Sequence, residues 1–230
     1  MKQRIPTGSA RLDRALNGGL PIGEIVLVYG EAETGKTTLA MQCAVNSARM
    51  GLKTLYVDCE ESFTPERLSQ IAFSDFEEVS GMIILANPSS FQEQIEIIDN
   101  LEKFINRRFG LIIFDTITSL YRSELKGVKE SFNLNRELNR QVAMLMQIAR
   151  TVPLSVLLLS QVRSIMQREE FAPVATRILG FWSGNIVKLS RIGRGNIVKA
   201  TIEKSCGKKR SSSFLLSIEE DGIHDYEHQI

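Results

Sequence analysis

Short apolar runs alternate with longer amphipathic stretches along the first two thirds of the chain. EIVLVYG (24–30), KTLYVDC (53–59), GMIILAN (81–87), GLIIFDT (110–116) and PLSVLLLSQ (153–161) are of strand length and apolar with little alternation. That is the pattern of strands covered on both faces, as in a parallel sheet. Between them, residues 37–50, 91–108 and about 133–151 carry apolar positions at helical spacing, so the order is that of βαβ units. Beyond Gln161 the pattern changes. Residues 162–183 show no clear period and contain Pro173, Gly180 and three arginines, Arg163, Arg168 and Arg177, which predicts a long loop. NIVKLSR (185–191), IVKATIEK (197–204) and SSFLLSI (212–218) then predict short strands, with turns at GRG (193–195) and CGK (206–208). The expected architecture is one α/β domain over residues 1–230, a mostly parallel sheet with helices on both faces and an antiparallel carboxyl-terminal extension.

Composition narrows the class. A chain of 230 residues, 43% hydrophobic and 24% charged, buries one sizeable core. The start, MKQRIPTGSARLDRAL, lacks the apolar stretch of a secretory signal, and no run approaches the roughly 18 apolar residues of a membrane span. The expectation is a cytoplasmic protein with no membrane partner. Cys43, Cys59 and Cys206 show no CxxC spacing, so neither a zinc site nor a disulfide framework is expected.

The net charge of +1 hides an asymmetry. Residues 58–78 hold seven acids (Asp58, Glu60, Glu61, Glu66, Asp75, Glu77, Glu78) against Arg67. Residues 188–210 hold eight bases (Lys188, Arg191, Arg194, Lys199, Lys204, Lys208, Lys209, Arg210) against Glu203. Such a basic segment is a candidate footprint for a nucleic acid backbone, or else a solvated strand edge protected by lysines.

GEAETGKT (30–37) fits the phosphate-loop pattern GxxxxGK[ST] and lies between a predicted strand and a predicted helix. Gly30 and Gly35 let the backbone wrap a phosphate, with Glu31, Ala32, Glu33 and Thr34 between them and Thr38 opening the helix. Lys36 is placed to reach the β and γ phosphates of ATP, and Thr37 to give its hydroxyl to Mg²⁺. Glu31 and Glu33 are tolerable beside phosphate only if their side chains turn outward. Asp115 ends GLIIFDT, where a strand-end aspartate holds Mg²⁺ through water. Glu60 and Glu61 follow another strand end and could activate the attacking water. Gln161 ends its strand where an amide could sense the γ-phosphate.

IPTGSARLDRALNGGLPIGEIVLVYGEAETGKTTL, YVDCEESFTPERL, LIIFDTITSLYR and LLLSQV, in that order, resemble the RecA/RadA recombinase family over nearly the whole chain. The resemblance implies a RecA-like P-loop ATPase core. It also implies that Glu60 is the water-activating carboxylate, that Arg67 stacks on the adenine, and that Gln161 senses the γ-phosphate. Two DNA-contacting loops would lie near 122–132 and at 162–184, the second with Arg163, Arg168 and Arg177. Lys208, Lys209 and Arg210 are further DNA-binding candidates, and Phe171, Phe181 and Trp182 could stack on bases.

The family's amino-terminal helical DNA-binding domain and Phe-x-x-Ala polymerisation motif are expected to be absent, because the chain begins almost at Ile5-Pro6-Thr7-Gly8. SCGKKR (205–210) stands where such recombinases place an acidic, proline-bearing cap. The resemblance therefore implies an ATP-controlled DNA-binding accessory of homologous recombination and repair, with weak hydrolysis. Its partners would be single-stranded DNA, with duplex DNA a further candidate, a main RadA-type recombinase or another recombination protein, and further copies of itself. Two alternatives stay open: a regulatory KaiC-like ATPase acting on protein partners, and a self-sufficient strand-exchange recombinase.

Overall fold

The computed structural model describes residues 3–125, 128–161, 172–193 and 195–226. A small antiparallel pair, β1 (Arg4–Ile5) and β2 (Leu20–Pro21), brackets helix α1 (Ala10–Ala15). The parallel strands follow: β3 (Ile25–Gly30), β4 (Lys53–Asp58), β5 (Ile83–Ala86), β6 (Phe109–Asp115) and β7 (Ser155–Gln161). The sheet is completed by β8 (Asn185–Arg191), β9 (Ile197–Ser205), β10 (Lys208–Glu219) and β11 (Gly222–Asp225), in the spatial order β11-β10-β9-β8-β3-β7-β6-β4-β5. β8 still runs parallel to β3, and the antiparallel pairing begins with β9. The register sets Gly30 beside Gln161 and beside Leu189, and Asp58 beside Asp115. The carboxyl ends of β3, β4, β6 and β7 thus share one edge of the sheet, where open α/β sheets bind ligands.

Helices cover both faces because consecutive strand residues point opposite ways. Along β6, Leu111 and Ile113 enter one core, while Ile112 and Phe114 enter the other. The first core is closed by α1, α2 (Lys36–Arg49), α3 (Pro65–Ala72) and α4 (Phe76–Ser80), through Leu12, Leu39, Met41, Leu68, Ile71 and Val79. The second is closed by α5 (Phe91–Phe104), α6 (Ser119–Ser123), α7 (Val128–Thr151) and α8 (Ala172–Trp182), through Phe91, Ile98, Tyr121, Val142, Leu145 and Leu179. A fully buried side chain of this kind contributes roughly 1.5–3 kcal/mol, which is why the middles of these strands are almost wholly apolar. No helix among the described residues is long and apolar enough to cross a membrane.

Two expectations need correction. The long loop predicted over 162–183 holds a helix, α8, from Ala172 onwards. Ala175, Ile178, Leu179 and Trp182 repeat at helical spacing and pack on the second core. Pro173 obscured the period, yet it lies in the first turn, where its missing N–H is tolerated. Residues 162–171, including Arg163, Arg168 and Phe171, lie outside the described residues. The first expected DNA loop, 122–132, is largely helical as well. Arg122 belongs to α6 and Phe132 to α7, with residues 126 and 127 outside the description.

The carboxyl-terminal hairpin is fastened to the phosphate-loop helix. Gln42 of α2 donates to the Ile223 carbonyl at 3.1 Å and accepts from its N–H at 2.6 Å, pairing with β11 as a neighbouring strand would. Farther along the extension, Cys206 (φ 49) and Gly207 (φ 76) form the two-residue turn between β9 and β10, as the primed hairpin turns require. Both register shifts in this region flank Glu203. Its carboxylate accepts the Tyr29 hydroxyl at 2.8 Å and so ties β9 back to β3. Cys43 and Cys59 are buried free thiols, and Cys206 is exposed.

Candidate functional site

Residues 30–37 form the turn from β3 into α2. A Cβ on Gly30 would lie 2.2 Å from the Leu189 carbonyl oxygen, and one on Gly35 (φ +82) would lie 2.9 Å from the Ile218 side chain. Both positions therefore exclude any larger residue. α1, α3 and α5 each begin with a hydroxyl, from Ser9, Thr64 and Ser90, accepting a first-turn N–H. α2 begins with Gly35 and has no side-chain cap. Its first N–H groups are thus left for another acceptor, and the helix dipole favours an anion there. Within the loop, the buried Thr34 hydroxyl donates to the Glu31 carbonyl at 2.9 Å, and Lys36 Nζ donates to the same oxygen at 2.6 Å. Glu31, Ala32 and Glu33 are exposed, and Glu33 accepts from Arg191 at the end of β8. Thr37 and Thr38 are half-buried in the first turn of α2.

Carboxylates stand opposite this loop. Asp115, fully buried at the end of β6, accepts the Tyr56 hydroxyl at 2.8 Å through Oδ2. Burial pushes its pKa up to about 6; the Tyr56 and Thr37 hydroxyls oppose the rise, and the charges of Asp58 and Glu60 add to it. Thr37 is close enough to act on it, yet Oδ1 has no partner at full hydrogen-bonding distance. A buried carboxylate oxygen without a donor is costly unless a cation completes it. Burial likewise lowers the pKa of Lys36, with Asp115 and Glu60 pulling it up and Arg122 pushing it down. No group of three or more His, Cys, Asp or Glu residues among the described residues is arranged to hold a metal. A cation here would instead rest on phosphate oxygens, Thr37 and water, as Mg²⁺ prefers.

Asp58 and Glu60 have different surroundings. Asp58 accepts from the backbone N–H groups of Glu60, Ser62 and Phe63, so it shapes the loop that presents Glu60. Glu60 accepts the Thr116 hydroxyl at 2.9 Å, next to Asp115. Gln161 lies beside Gly30 in the sheet, and its carbonyl accepts from the Arg122 guanidinium. Arg67 is less free than its sequence context suggested. It donates to the Glu219 and Glu220 carbonyls, both at 2.7 Å, in the β10–β11 turn. That turn packs close to Gly35 through Ile218 and Ile223. Arg67 is thus placed near the phosphate loop but fixed by its edge to the hairpin. Gln42, Tyr56 and Thr116 were not singled out from the sequence, because each matters through a partner distant in the chain.

The structure divides the basic segment. Arg191 is at the phosphate-loop edge, bound to Glu33. Lys204 donates to the Gly180 carbonyl of α8 at 3.1 Å. Lys188 and Lys199 are exposed on strands β8 and β9. Lys208, Lys209 and Arg210 are exposed beside the Cys206-Gly207 turn, where Gly207 N–H bonds to the Gly184 carbonyl and Gly184 N–H to that of Ile25. This is the sheet edge opposite the phosphate loop. The six residues of β3 put roughly 17 Å between the two. Arg177 is exposed on α8. Trp182 packs on the second core and donates to Asn139 at 2.9 Å, whereas Phe181, 75% exposed, stands edge-on to it at 5.3 Å.

A phosphate loop leaving the central strand of a mixed, mostly parallel sheet, with a strand-end aspartate beside its threonine, is the arrangement of a RecA-like P-loop core. The Rad51 family model matches residues 2–226, and the chain belongs to that family. It is 36% identical over 224 residues to the DNA repair and recombination protein RadB of Thermococcus onnurineus, covering 96% of this chain and 97% of that one. It is 33% identical over 213 residues to the RadB protein of Methanococcus maripaludis, covering 92% and 96% respectively. A solved structure described as the crystal structure of the RadB recombinase is similar with a TM-score of 0.83 at 35% identity, over 97% of this chain and 100% of that one. The family resemblance drawn from the motifs is borne out.

Proposed function

We propose that the chain is a single-core, ATP-dependent DNA-binding accessory of homologous recombination and DNA repair, with weak ATP hydrolysis, that modulates a main recombinase. The observation that carries the nucleotide part is Asp115. Its buried oxygen lacks a partner beside Thr37, at the foot of a helix with no side-chain cap. Bound Mg–ATP supplies a terminal phosphoryl group whose negative charge the cation neutralises. Lys36 exchanges the Glu31 carbonyl for phosphate oxygens, and the α2 backbone N–H groups bind the remainder. Glu60, steadied by Thr116, takes a proton from the attacking water. Gln161 presents its amide towards the terminal phosphate, and Arg67 borders the base.

Names of the RadB relatives speak of DNA repair and recombination, and this supports the DNA part. Phe181 is an exposed aromatic and Arg177 an exposed cation on the same helix, a combination suited to single-stranded nucleic acid. Edge strand β5 exposes Ile84 and Leu85 and has no outer strand partner among the described residues, so a strand of a partner protein or a second copy can add there. A second reading, a regulatory ATPase acting on protein partners, is favoured by the scattering of the basic residues. Calorimetric titration with Mg²⁺ and ATPγS tests the site. Lys36→Ala should weaken binding by about 100-fold or more, two charge-assisted hydrogen bonds being lost. Asp115→Asn should remove most of the Mg²⁺ dependence. Wild-type affinity in Lys36→Ala would refute the site.

A further inference from the structure

Arg122 was expected only as the beginning of a DNA-contacting loop. In the structure it stands at the sheet edge that carries the phosphate loop. Ile117 N–H bonds to the Leu159 carbonyl at 3.1 Å, and the Thr118 hydroxyl meets the Ser160 hydroxyl at 3.1 Å. These contacts fix the start of α6 against the last residues of β7. One helical turn later the half-buried Arg122 donates to the carbonyl of Gln161. Gln161 is the register neighbour of Gly30, the first residue of the phosphate loop. The positive charge of Arg122 is also felt at Lys36.

We infer that Arg122 is a terminal-phosphate-selective contact acting within the same chain, exchanging the Gln161 carbonyl for the γ-phosphate when a triphosphate occupies the loop. This rests on the nucleotide-site reading above. A carbonyl is a neutral acceptor, whereas a phosphate is an anion that a guanidinium binds through two parallel bonds, so the exchange is favourable. A diphosphate offers no terminal group to compete, and the Gln161 contact persists. Release of the Gln161 carbonyl frees the end of β7, and movement of Arg122 loads α6. One side chain thereby reports the third phosphate to two elements of the fold. A purely structural Arg122 would link α6 to β7 in the same way whichever nucleotide was bound.

The test is displacement of a fluorescent ADP analogue by ADP and by ATPγS, with Mg²⁺, from the full chain carrying Arg122→Gln, Arg122→Lys or Lys36→Ala. Arg122→Gln should leave ADP affinity within about twofold and weaken ATPγS roughly 10- to 100-fold, with Arg122→Lys intermediate. Equal weakening of both nucleotides, an unchanged ratio, or a wild type that does not distinguish the two would overturn the inference. Lys36→Ala separates the levels: retention of both nucleotides there refutes the phosphate-loop site itself. Should Arg122→Gln not fold, Arg122→Lys and wild-type amide exchange over 155–161 decide the matter. ATPγS but not ADP should alter protection at the end of β7, and identical protection with both would contradict the proposal.

Discussion

The phosphate-loop edge and the carboxyl-terminal extension are parts of one sheet organised in opposite ways. At the edge, charged groups are tied to specific partners; Asp115 and Lys36 are buried and Glu60 is exposed. Asp115 meets Tyr56, Glu60 meets Thr116, and Lys36 folds onto its own loop. In the extension Lys208, Lys209 and Arg210 are solvated, and the other described bases divide between an ion pair, a helix carbonyl and open surface, Arg194 lying outside the described residues. Buried polar groups hold their positions because leaving any one unpaired is costly, and solvated cations carry no such constraint. The first arrangement suits chemistry that needs fixed geometry. The second suits contact with a flexible polyanion.

The comparison can be broken most sharply at Glu60. Glu60→Gln should bind ATPγS as the parent does and lose about 10²- to 10⁴-fold in turnover, since the amide cannot take the water's proton. A steady-state assay showing the loss only in Glu61→Gln would move the role to the neighbour. Next in size is the joint between the regions. Gln42→Ala strands the buried N–H and carbonyl of Ile223 and should cost about 2–4 kcal/mol. In thermal unfolding this is a fall of roughly 4–16 °C for a chain of this size; an unchanged midpoint would mean that the hairpin is held elsewhere. The smallest effect belongs to the extension. Alanine at Lys208, Lys209 and Arg210 should flatten the slope of log DNA affinity against log salt by up to about two units, at about 0.7 per single-strand phosphate. An unchanged slope would assign that turn to solvent or to a protein partner.

Legibility from sequence followed the same division. The central strands were legible because burial on both faces demands a nearly uninterrupted apolar run, as in β6 and β7, whereas β8 was read as a strand of the antiparallel extension and runs parallel to β3. The turn at 30–37 and the strand end at Asp115 were legible because the first follows a fixed local spacing and the second closes an apolar run. α8 was missed because Pro173 and Gly180 resemble loop punctuation, although Ala175, Ile178, Leu179 and Trp182 keep the helical period. The contacts of Arg122 and Gln42 were invisible for another reason: their partners lie 39 and 181 residues away, and no local pattern encodes such a contact. The basic segment was legible as composition and misleading as geometry, since strand alternation and hairpin turns send neighbouring cations to different faces and edges.

The central claim is that the buried site governs the exposed one. It is tested most directly by the affinity of the wild-type chain for single-stranded DNA at fixed salt, without nucleotide, with Mg–ADP and with Mg–ATPγS, alongside Lys36→Ala. The account predicts tighter binding with ATPγS than with ADP or no nucleotide, and no such difference in Lys36→Ala. Equal affinity in all three states of the wild type would contradict it and favour the regulatory ATPase acting on protein partners.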